Sequence, residues 1–470
     1  MHENRVNDSI VYKDYFWTGR RFLRQAPELA HETSAEGPPQ FRCGRVTDWR
    51  RRQTLDMAVA RDPMKEPVTE AVVIGAGPTG LAAALALAAL GADGAIAAPA
   101  YDPARAEADQ RTTALLPGSI ELLKNLGVWG ICAGQSAPLE GVRIVDDRGG
   151  LLRAPEVLFK AEELDLASFG ANIANSALNA ALSAAASSAS GLSWLPTSGV
   201  VKVEPGGRSV HIELAEGRTL SAALAVAADG RNSLVRAAAE IATRTWTYGQ
   251  SAIAARFRHT RAHAAIATEL HRRAGPLTTV PLPGDASSLV WVEEPAEASR
   301  LAALDDRGFL SELTMRLRGL LGSLGDVGPR AIYPLAGLAA TRMGQNRVAL
   351  VGESAHVIPP IGAQGLNLGL RDAAVLAECV SNARQQGQDI GSRATLETYH
   401  AARAGDVLTR TVSVDLLNRS LLTDFLPAQA LRGLGLHLLA NVAALRRLAM
   451  RSGLTAAARL PRLMQPGALP

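Results

Sequence analysis

The sequence predicts an α/β fold: a doubly wound, mostly parallel sheet, an inserted antiparallel-sheet domain and a helical C-terminal tail. Three observations carry this. A strand, a glycine turn, a helix and a second strand follow one another between Thr69 and Ala98. From about Trp246 to Tyr333 apolar and polar residues alternate as in half-buried strands. Beyond Ala394 the apolar residues recur at helical spacing. At 470 residues and 47% hydrophobic, the chain can bury several cores, which excludes disorder throughout.

Residues 1–63 look unlike the rest. They hold seven aromatics and the run Arg50-Arg51-Arg52, show no sustained period, and are broken by Gly37-Pro38-Pro39. They read as a poorly ordered extension, with Met64 as a natural start, since Met64–Glu70 runs straight into the first strand, Ala71–Ile74. An Ala/Leu helix reaches about Leu90, and a strand resumes at Ala95–Ala98, the opening of a parallel sheet. Ser176–Ser187 is a further helix, and Gly199–Val203 and Val210–Leu214 are strands around Pro205-Gly-Gly207. Ser251–Phe257, Leu277–Leu282 and Ser288–Glu293 are strands of the antiparallel sheet; Arg347–Val351 is one more buried strand, followed by a helix over Gly365–Ala383. The domains expected are 64–175 (first part of the parallel-sheet domain, with a first insertion), 176–245 (second part), 246–340 (antiparallel sheet), 341–392 (third part) and 393–470 (tail).

Composition excludes several functions. Cys43, Cys132 and Cys379 form no pair motif, which argues against a disulfide framework and for a reducing compartment. The nine histidines form no ligand cluster, so no metal is expected; His259 and His263 read as a solvated face. Net charge is +4, but the last 70 residues carry nine Arg against three Asp, while the remainder is near neutral. No nucleic-acid module accompanies this basic tail, so nucleic acid is not an expected partner, whereas an anionic membrane surface is. The uncharged run Ala71–Ala92 has the length of a membrane span, yet Gly75, Gly77, Pro78 and Gly80 interrupt it where a strand-to-helix turn belongs.

Three motifs carry chemistry. Gly75-Ala-Gly77-Pro-Thr-Gly80 follows a strand and opens a helix, so its backbone can approach a pyrophosphate at a helix N-terminus in a Rossmann-like unit. The acid usual at the end of the second strand is replaced by Ala97-Ala98-Pro99-Ala100, with Asp102 the nearest carboxylate. Asp229-Gly230 ends an apolar strand. Gly352-Glu353 ends another, and runs through His356, Pro359, Pro360 and Gly362 to a helix that begins near Gln364 with Gly365, Leu366 and Asn367. Small residues there admit a flat ligand, and the helix N-terminus can stabilise developing negative charge.

In this order the motifs resemble the group A flavoprotein aromatic hydroxylases of the para-hydroxybenzoate hydroxylase fold, with Glu353 in place of the usual Asp. Arg111-Thr-Thr-Ala-Leu115, Asn172–Asn175, Tyr333-Pro-Leu335 and above all His356–Leu370 resemble the ubiquinone-biosynthesis hydroxylases, over about Thr69 to Leu454. The resemblance implies FAD, held by Gly75, Gly77, Gly80, Arg111, Asp229, Gly230, Gly352, Glu353, Gly365, Leu366 and Asn367. It implies NAD(P)H as a transient reductant and O₂ activated as a flavin C4a-hydroperoxide. Pro359, Pro360 and Gly362 would line the ring near the substrate, and His356 is either an acid/base group or a packed loop residue. The implied substrate is a polyprenylated phenol or benzoquinone precursor of ubiquinone. The implied place is cytoplasmic and peripheral on the inner membrane, where a quinone-biosynthesis complex is a further expected partner. A hydroxylase of soluble phenols and a non-catalytic flavoprotein scaffold stay open as alternatives.

Overall fold

The computed structural model describes residues 68–148, 155–422, 426–454 and 460–469. The N-terminal extension and the start at Met64 lie outside them. The first strand, Val68–Ile74, pairs in parallel with Thr219–Ala227 on one side and Gly94–Ala98 on the other. The sheet runs Gly344–Gln345, Val348–Leu350, Thr219–Ala227, Val68–Ile74, Gly94–Ala98, Leu192–Pro196, and the hairpin of Val200–Pro205 and Val210–Leu214 hangs from Thr219–Ala227. Its central strands are apolar on both faces because helices cover both: Ala71, Val72, Leu224 and Ala225 are fully buried. The uncharged run is therefore a buried strand and the helix Pro78–Ala89, whose residues Gly80–Leu87 are all buried. Among the described residues no helix is long and apolar enough to cross a membrane.

The second sheet is mostly antiparallel, in the order His356–Val357, Ala331–Ala340, Thr243–His259, Ala286–Glu293, Pro276–Leu282, Ile266–His271, Gly141–Asp146, Val157–Lys160. Alternation predicted this sheet, but Thr243–His259 is much longer than the Ser251–Phe257 read from sequence. It carries Trp246 and Tyr248 from the parallel-sheet domain out to Phe257, in the second core beside Trp291 and Phe309. One expectation is corrected here. His259 is not on a solvated face: it is 5% exposed, at the end of a strand, with Nε2 on Ser287 Oγ at 3.0 Å. Strand geometry, not helical spacing, sets its surroundings, and His263 reaches the carbonyls of Leu282 and Gly284.

The tail is built into the molecule. Leu463 and Met464 are buried in the main core, each worth roughly 1.5–3 kcal/mol. Ala443–Leu454 lies over the second sheet, where Met450 packs with Ala161 and Phe169 and Arg446 pairs with Glu163 at 2.8 Å. The long helix Arg393–Leu422 is joined to the helix Gln364–Gln385 by buried charges. Asp372 Oδ1 takes Arg403 Nε at 2.7 Å, and its Oδ2 takes His356 Nε2 at 2.6 Å and the Gly352 amide at 3.0 Å. Asp406 Oδ2 takes Arg403 at 2.7 Å and Arg371 at 2.6 Å.

Burial alone would raise both carboxyl pKa values; the neighbouring charges overcome it. His356 and Arg403 hold Asp372 below the ordinary value of 3.8, and Arg371 and Arg403 take Asp406 down to about 2. Both groups have depressed folded-state pKa values. Their stabilisation is thus fully present above the ordinary carboxyl range and is lost as pH falls through the folded values below it. Arg403→Met strands two buried carboxylates, so it should cost about 3–5 kcal/mol. Its acid-unfolding midpoint, followed by circular dichroism, should also move to higher pH. An unchanged acid midpoint would show that the network contributes no charge-dependent stability.

Candidate active site

The ends of the two parallel strands Val68–Ile74 and Thr219–Ala227, with Val348–Leu350 beside them, open on one cavity of about 430 Å³. Gly77, Gly80, Arg111, Gly230, Gly352, Glu353, His356, Pro359, Pro360, Gly365 and Leu366 all line it. Gly75, Asp229, Gly362 and Asn367 do not. Gly75 sits beneath the turn at φ +111°, where a Cβ would overlap the carbonyl oxygen of Ala228. Only glycine fits there. Asp229 uses Oδ2 to cap the following turn at Val235 N (3.2 Å), leaving Oδ1 buried without a partner. Gly362 lines the neighbouring cavity. Asn367 is buried and ties the helix start to the strand Thr112–Leu115: it accepts from Leu116 N at 2.9 Å and donates to Ala114 O at 2.8 Å.

These residues fit FAD. No side chain caps the helix at Gly77, and a Cβ built there meets nothing within 4 Å, so the space in front of the helix N-terminus is open to a phosphate. The orphaned Asp229 Oδ1 is an acceptor awaiting a hydroxyl donor. At the other end the helix Gln364–Gln385 starts from Ala363, a non-glycine held at φ +54°. Asn367 Nδ2 donates to the Ala363 carbonyl at 2.6 Å, which fixes that strained turn. The Gly365 and Leu366 amides lie in the first turn, which lacks partners within the helix, and would face the flavin's electron-rich edge. Asp102 takes no part: it caps the short helix Pro103–Glu107 through Ala104 N at 3.0 Å.

His356 has its place decided by burial. Its side chain is 1% exposed, with Nε2 committed to Asp372. Glu353 is half exposed at the rim, with Arg231 Nε at 3.8 Å. Arg111 is clasped by Asp109 through two 2.8 Å contacts, with its guanidinium 5.1 Å from the Tyr333 ring. Sequence reasoning missed Asp372, Arg403 and Thr79. Asp372 lies at the end of the last motif, but its pairing with a residue 31 positions on has no sequence signal. Thr79 is the close neighbour that requires Gly352, at φ +61°, and Gly369 to lack side chains.

A second cavity of about 490 Å³ shares a wall with the first, made of Thr112, Thr113, Val290, Ile358, Pro359, Pro360, Gly365 and Leu366. It is apolar, with Phe159, Phe169, Val142, Ile144 and Leu139 around it, and Ala449, Met450 and Gly453 of the tail close one side. Read from sequence, that tail stood apart from the site.

Gly77 and Gly80 separate binding from folding. Gly77 has φ −71°, open to any residue, and free space, so Gly77→Val should fold with an unchanged Tm and purify without bound flavin. Gly80→Val, whose Cβ would overlap the Gly75 carbonyl oxygen, should fail to fold. A folded Gly77→Val protein that keeps stoichiometric FAD would remove the pyrophosphate from this turn.

Residues 68–412 match the model of the FAD binding domain family. The chain is 35% identical over 389 residues to the ubiquinone hydroxylase UbiL of Rhodospirillum rubrum, covering 82% of this chain and 89% of that protein. It is 29% identical over 395 residues to the 3-demethoxyubiquinol 3-hydroxylase of Escherichia coli, covering 83% of this chain and 100% of the other. Among solved structures, p-nitrophenol 4-monooxygenase PnpA of Pseudomonas putida DLL-E4 superposes with a TM-score of 0.68 at 18% identity, over 83% of this chain and 99% of that one. Klebsiella pneumoniae HpxO, complexed with FAD and uric acid, gives 0.65 at 18% identity, over 83% and 97%. Fold, glycine turn and family match converge: the chain belongs to the FAD binding domain family and is an FAD-dependent aromatic monooxygenase.

Proposed function

We propose that this enzyme hydroxylates the aromatic ring of a polyprenylated phenol or benzoquinone precursor of ubiquinone, using NAD(P)H and O₂. The observation that carries the reading is the pair of cavities sharing the Pro359–Pro360 wall, one reaching the glycine turns and the more polar of the two, the other apolar and large enough for a substituted ring. The relatives named as ubiquinone hydroxylases support the same substrate class. Bound FAD would supply the redox chemistry, carrying electrons from NAD(P)H and one oxygen atom of O₂ to the ring while the other leaves as water. The chain supplies position and dryness. Gly77, Thr79 and Gly80 would hold the pyrophosphate, Asp229 a hydroxyl of the cofactor, and Gly365 and Leu366 the isoalloxazine edge. Val290, Ile358, Pro359 and Pro360 keep water from the face between the cavities. His356 is a positioning residue here: through Asp372 it fixes the loop that presents Pro359 and Pro360.

The test is turnover of purified, FAD-loaded protein. A geranyl-substituted phenol should stimulate NAD(P)H oxidation at least 10-fold and gain one oxygen atom from labelled O₂. Oxidation that is unaffected by the phenol, or that yields only hydrogen peroxide, would overturn the reading.

The substrate's prenyl tail partitions into lipid, and the tail of the protein suits that surface. Leu408, Val412 and Leu416, one turn apart, are 64%, 46% and 62% exposed, and Leu434, Leu438, Leu445 and Leu448 on the two helices that follow are exposed as well. Arg447 is exposed among them, whereas Arg446 is held by Glu163. Peripheral association with an anionic membrane therefore rests on leucines as much as on charge. Replacing Leu434, Leu438, Leu445 and Leu448 by Ser should lower co-sedimentation with anionic vesicles more than 10-fold while FAD content stays unchanged. Equal binding by both proteins would mean that this face does not meet lipid.

A further inference from the structure

One side chain in the apolar cavity is out of keeping with its surroundings. Glu269 is the single ionisable group among the described residues that line it. A carboxylate in an apolar wall is costly unless something compensates for it. The compensation present is slight. Oε1 meets His271 Nε2 at 2.6 Å, with the two side chains 15% and 4% exposed. The described residues bring it no arginine or lysine: nearby Arg143, Arg148 and Arg272 are engaged by Glu156, Asp146 and Glu293. Oε2 receives no hydrogen bond from the described residues. His271, two residues along the same strand and so on the same face, fixes the carboxylate's rotamer. Its own Nδ1 is buried without a partner.

The sheet's register says where this oxygen lies relative to the flavin. Ala254, Val290, Thr278, Glu269 and Ile144 form one row across five adjacent strands. Ala254 lines the flavin cavity, Val290 both cavities, and the other three the apolar one. Strands lie about 4.8 Å apart, so the Glu269 backbone is roughly 10 Å from that of Val290. A benzene ring placed against Val290 and Pro360 spans much of that gap, with a ring hydroxyl directed at Glu269.

We propose that Glu269, held by His271, is the group that accepts the ring hydroxyl of the phenol, and so sets both the orientation and the class of the substrate. This rests on the reading of the enzyme as a hydroxylase of prenylated phenols. The hydroxyl donates to Oε2. As the ring reacts, its O–H bond breaks, the proton passes to Oε2 and the electron pair stays with the oxygen. That pair enriches the ring carbons ortho and para to it, the positions from which a phenol attacks an electrophilic oxygen. The attacked carbon gains a C–O bond to the oxygen atom delivered from O₂ and then loses its own hydrogen as a proton to water, which restores the aromatic ring, and Oε2 returns its proton to the phenolic oxygen. An aromatic ring without a hydroxyl leaves Oε2 unpartnered in an apolar cavity and is discriminated against.

The experiment compares a geranyl-substituted phenol with its methyl ether, which has the same shape but no donor. Binding is read from the perturbation of the flavin absorbance in the FAD-loaded protein. Wild-type protein should bind the phenol at least 10-fold more tightly than the ether. Glu269→Gln, with unchanged FAD content and Tm, should lose that preference by weakening phenol binding 10-fold or more while ether binding stays within two-fold. Glu269→Asp, with its charge withdrawn by one methylene, should fall between and covers the case in which Gln fails to fold. Equal effects on phenol and ether, or none on either, would make Glu269 a wall residue and overturn the proposal. A wild-type flavin that responds to neither ligand would instead overturn the prenylated-phenol reading on which it stands.

Discussion

The structure turns on one fully buried carboxylate. Asp372 binds the Gly352 amide, His356 and Arg403 at once, and so joins the loop after the third parallel strand, the helix Gln364–Gln385 and the long tail helix. Its attraction to His356 and Arg403 outweighs its own desolvation, yet well-packed apolar residues in place of such a network are often as stable. What it gives is uniqueness of arrangement. The loop from Gly352 to Gly362 has short strand pairing at one end and a strained Ala363 at the other, so hydrogen bonds to side chains must fix it. Asp372 and Asn367 supply them from a rigid helix, which is how a Pro/Gly-rich segment holds a flat wall between two cavities.

Much of this was legible in the sequence. Val210–Leu214 and the strands and helix of the first β-α-β unit appear where periodicity put them, because central parallel strands and their helix are apolar throughout and glycine marks the turn. Eleven of the fifteen residues named for the site line one cavity. The other four act beneath or beside it, and the distinction depends on which way a side chain faces, which a motif does not encode. Gly75 is the clearest case. It belongs to the motif, yet its missing Cβ makes room for Ala228 rather than for a ligand.

What could not be read were the pairings between distant segments. Arg446 looked like one of several tail cations and is in fact held by Glu163, 283 positions earlier. Glu269 occupies an ordinary alternating position on a strand, and nothing in its neighbours distinguishes it from a solvent-facing acid. Only the Pro359–Pro360 loop and the tail residues Ala449, Met450 and Gly453, which share its cavity, make that face an inner one. The charge balance of the tail was similarly misleading: Arg403 and Arg446 are paired with Asp372 and Glu163, carboxylates outside the tail, so nine Arg against three Asp overstates the charge offered to a surface.

The helix Ala443–Leu454 shows how the proposed membrane contact and the ring site can be one device. It gives Ala449, Met450 and Gly453 to the apolar cavity, and exposes Leu445 and Leu448 on the adjoining flank. An α-helix with its side chains is about 10–12 Å across, so a lipid surface against that flank would lie within one helix thickness of the cavity. A ring carried on a prenyl chain longer than that can enter the site while its distal isoprenes stay in lipid. The cavity then need hold only the head of the substrate, and its modest volume of about 490 Å³ suits that task. On this arrangement ring recognition falls to the wall beside the flavin, and the tail of the substrate sets where the enzyme works rather than what it selects.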